Sequence, residues 1–377
     1  MRDGRSAEQR MLDSWLRKPV SRRSVLKAAV VLPTAAALAA CSKGTSSGGA
    51  TGGATGGSTD ALNVYNWSAY LNPDNLKAFG KQLGVKTTQD FYASNEELIA
   101  KLKGGAKGYD IVAPTGYAVE ILAKSGLLTP IDHSKIPNLS NVDQQFLGAG
   151  FDPDNKFSVP KDWGTTGVGW LTDHVSEDIT SWRQFFDLAG EYKGKYTVLD
   201  SAPEVIGAGL KLNGFSYNSL DQGEVDKATD DLIKIKSDIA SVTSSEYRQM
   251  MQREDAYVSL GWNGDFFYVK KPHKYAIPSE GSEFWLDNWC IPSTAAHPEV
   301  AHEFINYILQ PKVQGAESSY TYYASCVGAA KPFVDPAIAN DPSIYPSNDV
   351  IAKLETAIAD PAFLQLRNDA WTKFKAA

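Results

Sequence analysis

The chain reads as an α/β protein of two lobes. Three observations carry that reading. Strand-like and helix-like patterns alternate from Ala61 onward, the signature of a parallel sheet covered by helices. The alternation starts again after residue 165. The folded stretch, residues 60–377, is too long for one simple core.

The elements follow in order. Ala61–Trp67 is an apolar, aromatic run and predicts a strand. Asn72-Pro73 opens a helix, with Asn72 as cap and Pro73 in the first turn. Leu76, Phe79 and Leu83 form its inner face, and Gly84 ends it. Residues 85–91 predict the next strand. Ser94 with Glu97 three positions on is a capping box, and Gly104-Gly105 stops the helix that follows. Residues 110–113 predict a strand, Thr115 a helix cap and Gly126 a helix end. In the second half, strands are predicted at 166–171, 196–199, 256–260, 275–277 and 284–287. Helices are predicted at 203–212, 225–239, 298–309, 349–359 and 362–375.

Ahead of the folded stretch lies an export-type segment. Ser21-Arg22-Arg23-Ser24-Val25-Leu26-Lys27 carries paired arginines, and residues 28–40 are a short apolar run. That run is too short to span a bilayer, which needs ~20 apolar residues. The arginine pair resembles a Tat signal. Leu38-Ala39-Ala40-Cys41 resembles a bacterial lipobox, which implies cleavage before Cys41 and lipid on its sulfur. Residues 42–59 are almost all Gly, Ser, Thr and Ala, a tether of ~24 Å root-mean-square reach. The expected plan is a signal peptide at 1–40, a lipid-anchored linker at 41–59 and a folded domain on the outer face of the cytoplasmic membrane.

Charge narrows the function classes. The whole chain is −7, and residues 1–40 carry five net positive charges, so the remainder is −12. An acidic domain is a poor nucleic-acid binder and a mild attractor of cations. Of three cysteines, Cys41 belongs to the lipobox. Cys290 and Cys326 are left, and pairing or burial as free thiols are both open. No HExxH, GxSxG or phosphate-binding loop occurs, and none of the five histidines lies in a candidate loop. An enzyme is therefore not expected, nor a cofactor or metal.

In open α/β sheets, ligands sit beyond the carboxyl ends of the strands. The loops there are unusual in content. They are Asn66-Trp67-Ser68-Ala69-Tyr70, Ala113-Pro114-Thr115-Gly116-Tyr117, Ser201-Ala202-Pro203-Glu204 and Gly261-Trp262-Asn263-Gly264-Asp265, joined by Phe284-Trp285-Leu286-Asp287 and Tyr320-Thr321-Tyr322-Tyr323. Each brings an aromatic ring, a carboxylate or both. Aromatic faces attract cations and cover methylenes. Carboxylates accept charge-assisted hydrogen bonds from ammonium groups. Such a slot suits a flexible chain with amines at its ends. Singly, each residue has a plainer explanation: a buried Trp, a turn-forming Asp265, a Glu204 placed by the helix dipole, a capping Thr115.

Val64-Tyr65-Asn66-Trp67-Ser68-Ala69-Tyr70 resembles the opening strand of the spermidine/putrescine-binding proteins of ABC importers. Tyr92-Ala93-Ser94-Asn95-Glu96, Tyr109-Asp110-Ile111-Val112-Ala113-Pro114, Phe157-Ser158-Val159-Pro160, Trp262-Asn263-Gly264 and Phe284-Trp285-Leu286-Asp287 resemble further blocks of that family, in order, from about residue 62 to the C-terminus. The resemblance implies a type II-like two-lobe periplasmic-binding-protein fold with hinge crossovers and a ligand cleft between lobes. One lobe is expected at 60–164 plus 288–331, the other at 165–287 plus 332–377. It implies a monomer that hands a polyamine to a permease and its ATPase. Trp67, Tyr117, Trp262, Trp285 and Tyr323 are then the walls, with Ser68 and Tyr70 in the first loop. Glu204, Asp265 and Asp287 match acidic ligand positions, and Thr115 matches a ligand-bonding Ser. Ala69 and Ser201 stand where members of the family carry acids, which leans the expectation towards putrescine. Adjacent Tyr322 and Tyr323 also resemble the ligands of ferric-binding proteins, so iron or another small cation is the alternative. An exported hydrolase using paired carboxylates ranks below both.

Overall fold

The computed structural model describes residues 61–377. The expected signal peptide, lipobox at Cys41 and tether lie outside the described residues. The chain begins with β1 (Ala61–Trp67), α1 (Pro73–Leu83), β2 (Lys86–Tyr92), α2 (Asn95–Lys103), β3 (Ile111–Val112) and α3 (Gly116–Lys124). The three strands form a parallel sheet of order β2-β1-β3, as the alternation requires. Local chemistry sets the helix starts. The Asn72 side chain accepts from the Asp74 amide at 2.9 Å, and Gly84 ends α1 at φ 70°, where a side chain would be strained. Ser94 accepts from the Glu97 amide at 3.1 Å. Glu97 reaches back to the Ala93 amide, one residue beyond the expected reciprocal bond to Ser94.

Next come β4 (Val159–Leu171), α4 (Trp182–Asp187), β5 (Tyr196–Val198), α5 (Ala202–Leu212), α6 (Gln222–Ile235), β6 (Ile239–Val242), α7 (Tyr247–Gln252), β7 (Val258–Trp262), β8 (His273–Ala276) and β9 (Phe284–Trp289). After them stand α8 (Pro298–Ile308), α9 (Pro311–Thr321), β10 (Ala324–Ser325) and the terminal α10 (Pro361–Ala376), with short helical turns between. The second sheet runs β10-β4-β7-β5-β6, with β8 and β9 also paired to β4.

β4 is the organising strand. All thirteen of its residues are buried. Its first half pairs antiparallel with β9 and β10, and its second half with β7 and β8. It starts seven residues before the predicted 166–171, because Lys161 and Asp162 form an ion pair with each other inside the core. The chain after β9 continues along β3: Cys290 and Val112 exchange both backbone hydrogen bonds at 2.9 Å, and the Asn288 amide donates to the Pro114 carbonyl. That pairing brings Asp287 beside Thr115.

Three expectations change. Residues 349–359 are not a helix. Only Asn348–Ile351 turns, and Glu355 then bonds its backbone to Ser282 and Phe284, joining the crossover. The helix predicted at 225–239 stops at Ile235, and Ile239–Val242 becomes β6 alongside β5. α9 was not predicted at all. Its buried face is polar, with Glu317 accepting from the Asn72 amide and the Asn75 side chain.

Apolar packing divides into one core around β4–β7 and α4–α6 and two around the three-stranded sheet. Val334, Ile338 and Ile344 pack with Phe79, Trp163 and Phe304, whereas Trp371 and Phe374 pack with Leu232 and the β5 region. The segment after residue 331 is thus shared between cores. Cys290 and Cys326 are both buried and free. No helix among the described residues is long and apolar enough to cross a membrane.

Candidate functional site

All eleven predicted binding residues line one cleft: Trp67, Ser68, Tyr70, Thr115, Tyr117, Glu204, Trp262, Asp265, Trp285, Asp287 and Tyr323. The space between the walls is about 910 Å³, counting the part open to solvent. Both sheets contribute, through the ends of β1, β3, β5 and β7 and one face of β9. This is the post-strand placement that open α/β sheets favour.

The walls are rings that brace one another. The Trp67 indole donates to the Ala113 carbonyl at 3.0 Å and meets Trp262 edge to face, centroids 6.0 Å apart. Tyr323 stands edge-on to both Tyr70 and Trp285, at 5.4 and 5.0 Å. Two local devices aim these rings. Ala69 takes a left-handed φ of 57°, which folds the chain back so that the Asn66 side chain holds the Tyr70 carbonyl at 3.2 Å. Gly164 on β4 lets Trp285 lie flat against the strand, for a Cβ there would come within 2.3 Å of the indole. Behind Tyr70, the buried Lys161 ammonium sits 3.6 Å from the ring centre.

Carboxylates sit between the rings. Thr115 does not cap α3 with its side chain. Its hydroxyl donates to Asp287 at 2.6 Å instead, and Asn95 donates to Thr115 at 3.0 Å. Burial pushes the Asp287 carboxyl up to about 6 against opposing hydrogen bonds. Glu204, in the first turn of α5, accepts from the Trp262 indole and from Thr166. Burial raises its pKa too. Asp265 is different. It already holds three donors: Tyr247 at 2.6 Å, Tyr323 at 2.7 Å and Arg248 at 3.3 Å. Its charge is met from within the protein.

Sequence reasoning missed several lining residues. Glu96 accepts from Tyr117 at 3.0 Å, and Arg248, Asp200, Tyr92, Asn95 and Glu283 also face the cleft. Glu283 had a signal in the sequence: it lies two and four positions before Trp285 and Asp287, on the same face of an extended strand. Six carboxylates and one guanidinium line the cleft in all. Tyr322 does not line it. Its ring stacks on Phe267 at 5.5 Å, and the Tyr323 hydroxyl is committed to Asp265, so the two tyrosines do not converge on a metal. Among the described residues no cluster of His, Cys, Asp and Glu is arranged to hold a metal ion.

A family model described as bacterial extracellular solute-binding protein matches residues 74–346. The chain belongs to that family. The family is non-enzymatic, and its members work outside the cytoplasm. The chain is 34% identical to the putrescine-binding periplasmic protein of Escherichia coli (strain K12), over 84% of this chain and 91% of that one. It is 35% identical to the spermidine/putrescine-binding periplasmic protein of Salmonella typhimurium, over 78% and 86%. Among solved structures, a spermidine/putrescine ABC transporter protein from Listeria monocytogenes superposes with TM-score 0.80 at 30% identity, covering 84% of this chain and 99% of that one. The corresponding substrate-binding protein of Streptococcus pneumoniae gives TM-score 0.73 at 30% identity, covering 84% and 99%. The fold is therefore the periplasmic-binding-protein fold expected from the sequence, and the membership excludes the hydrolase alternative.

Proposed function

We propose that this chain is the receptor of a polyamine importer. It captures a linear aliphatic polyamine, putrescine or spermidine, in the aromatic and acidic cleft and hands it to a permease driven by its ATPase. One observation carries the reading: six carboxylates and one guanidinium face a slot walled by Trp67, Tyr70, Trp262, Trp285 and Tyr323. Such a slot attracts ammonium groups and covers the methylenes between them. The relatives named for putrescine and spermidine support the same ligand class.

Closure of one lobe over the other, about crossovers near residues 164 and 287, would desolvate the ligand. The lipobox reading adds an anchor: lipid on Cys41 holds a monomer at the membrane through the 41–59 linker. Cell fractionation with Cys41 exchanged for serine checks that part. Titration calorimetry of the chain starting at residue 60 tests the ligand, with putrescine, spermidine and ferric citrate in turn. A signal of about −8 kcal/mol or better for an amine supports the receptor. Silence for both amines with a signal for iron overturns it.

A further inference from the structure

The sequence offers three acids to a ligand, Glu204, Asp265 and Asp287, and the structure sets one of them apart. Asp265 takes the Tyr247 hydroxyl on Oδ2 at 2.6 Å, and the Tyr323 hydroxyl and the Arg248 guanidinium on Oδ1 at 2.7 and 3.3 Å. A carboxylate has about four acceptor sites, so these donors nearly fill it. One of them brings a full charge. Arg248, in the first turn of α7, lines the cleft itself, and its side chain is 12% exposed. Its guanidinium carbon lies 4.8 Å from the centre of the Tyr268 ring, and the Tyr268 hydroxyl is tied to the Ala69 and Tyr320 carbonyls at 3.2 and 3.0 Å. A carboxylate and an aromatic face thus hold a cation here, which is the chemistry the cleft offers an ammonium group. The cation belongs to the chain.

The remaining acids of the cleft are met by uncharged donors. Glu96 accepts from Tyr117, Glu204 from Trp262 and Thr166, and Asp287 from Thr115, while the Tyr217 hydroxyl lies beside Glu283. These acids stand close enough to feel one another: Glu96 raises the pKa of Glu204, and Glu204 and Asp287 raise that of Glu283. Lys161, whose field reaches Asp287, is spent on Asp162, and Asp200 at the exposed rim faces Lys375 at 3.5 Å. The lining is therefore lopsided. One part gathers Glu96, Glu204, Glu283 and Asp287 among neutral groups; in the other, the charge of Asp265 is cancelled by Arg248.

We propose that Arg248 is a specificity-determining residue: it fills Asp265 from within the chain, so that the cleft takes ammonium groups around Glu204 and Asp287, rejects them around Asp265, and selects a diamine over a triamine. The proposal rests on the polyamine reading and deepens it to the number of charges on the ligand. A diamine places both of its ammonium groups among the unpaired acids. A triamine carries another ammonium further along the same chain, and the place beside Asp265 that would receive it is taken. Like charges repel, and the repulsion grows as the cleft closes and water leaves, because the effective dielectric falls. Arg248 does not step aside freely, since moving it leaves the buried Asp265 charge unpaired. Arginine suits the task, for it stays protonated at every working pH.

Calorimetry with putrescine and spermidine at pH 8 tests this on the chain starting at residue 60, as wild type, Arg248→Met, Arg248→Lys and Arg248→Met with Asp265→Asn. The expected result is a gain of tenfold or more for spermidine in Arg248→Met and a smaller gain for putrescine. Arg248→Lys, which keeps the charge, is expected to keep the wild-type preference. Adding Asp265→Asn is expected to abolish the gain, because no acid is then freed. Equal gains for the two amines, no gain for spermidine, a gain that survives Asp265→Asn, or a wild type that holds spermidine tenfold tighter than putrescine overturns the role of Arg248 and leaves the polyamine reading intact. A wild-type chain silent to both amines overturns both readings. Should Arg248→Met misfold by circular dichroism, the wild type decides with spermidine acetylated at either terminal nitrogen. The capped forms are expected to bind at least as well as spermidine, and a tenfold loss for both overturns the role of Arg248.

Discussion

Replacing Asp287 by asparagine should weaken binding and strengthen the empty fold. Asp287 is 5% exposed and accepts from Thr115 at 2.6 Å. Burial lifts its carboxyl from an ordinary 3.8 to about 6. The ligand-free chain above pH 6 therefore carries a buried charge that opposes folding by about 3 kcal/mol. Asparagine has the same shape and keeps an oxygen for the Thr115 hydroxyl. At pH 8 the empty variant should melt higher than the wild type, because the buried charge is gone. Binding moves the other way. Removing one partner of a buried, hydrogen-bonded charge pair costs about 2–5 kcal/mol. That is a roughly 30- to 4000-fold weaker Kd at about 1.4 kcal/mol per decade. Calorimetry with both amines and thermal melting of the empty protein, at pH 8, read the two effects separately. An affinity within about threefold of wild type would refute Asp287 as an ammonium acceptor. Weak binding together with a marked fall in melting temperature would assign it a structural role instead.

The same geometry sets three further outcomes. Trp262→Ala removes a wall and the indole donor to Glu204, so affinity should fall about 2- to 30-fold on a cation–π scale of ~0.5–2 kcal/mol, with circular dichroism unchanged. Arg248→Met leaves Asp265 without its cation. Breaking a buried pair costs about 3–5 kcal/mol, so the empty protein should melt lower, and saturating amine should restore more of the loss than it adds to the wild type. Polyamine affinity should fall as pH drops from 8 through 6, because Asp287, Glu204 and Glu283 have raised pKa values in the empty cleft and must shed protons to meet ammonium groups. The sign for the empty fold is the reverse: the contribution from Asp287 is fully present below pH 3.8 and is lost as pH rises through about 6. Calorimetry in buffers of different ionisation enthalpy counts the protons released, and pH-independent affinity would contradict the buried-acid picture.

The sequence shows most where structure is local. Asn72, Ser94 and Gly84 mark helix ends by their own chemistry, and the opening β-α-β-α-β-α run needs no distant partner to be recognised. The eleven cleft residues were legible because post-strand loops are few and their aromatic and acidic content stands out. What escaped depends on distant contacts. Pro160, Lys161 and Asp162 look like a loop, yet they form the buried start of β4 because the two charges meet each other under Tyr70. α9 hides its amphipathicity because the face it buries includes Gln314, Glu317 and Ser318: Glu317 accepts from Asn72 and Asn75, Ser318 donates to the Tyr323 carbonyl and Gln314 accepts from Ser325. Residues 352–359 have a helix-like composition, but Glu355 is captured by Ser282, Phe284 and Lys211. Arg248 neutralises Asp265 across seventeen residues, a pairing that no local pattern announces.

Because β4 is a partner in every pairing that links β9 and β10 to β7 and β8, the protein has no seam along which it can be divided. A chain severed near Gly164 would leave each fragment holding half a strand and an open edge of unpaired backbone, a surface prone to aggregate. Gene truncations aimed at producing one half should therefore yield insoluble product, and reporter insertions are better placed in surface turns. The backbone amides of 159–171 should be the last to exchange with deuterium, since no opening short of global unfolding exposes them. In the proposed closure over a ligand, such a beam would confine the motion to flexing rather than a free swing.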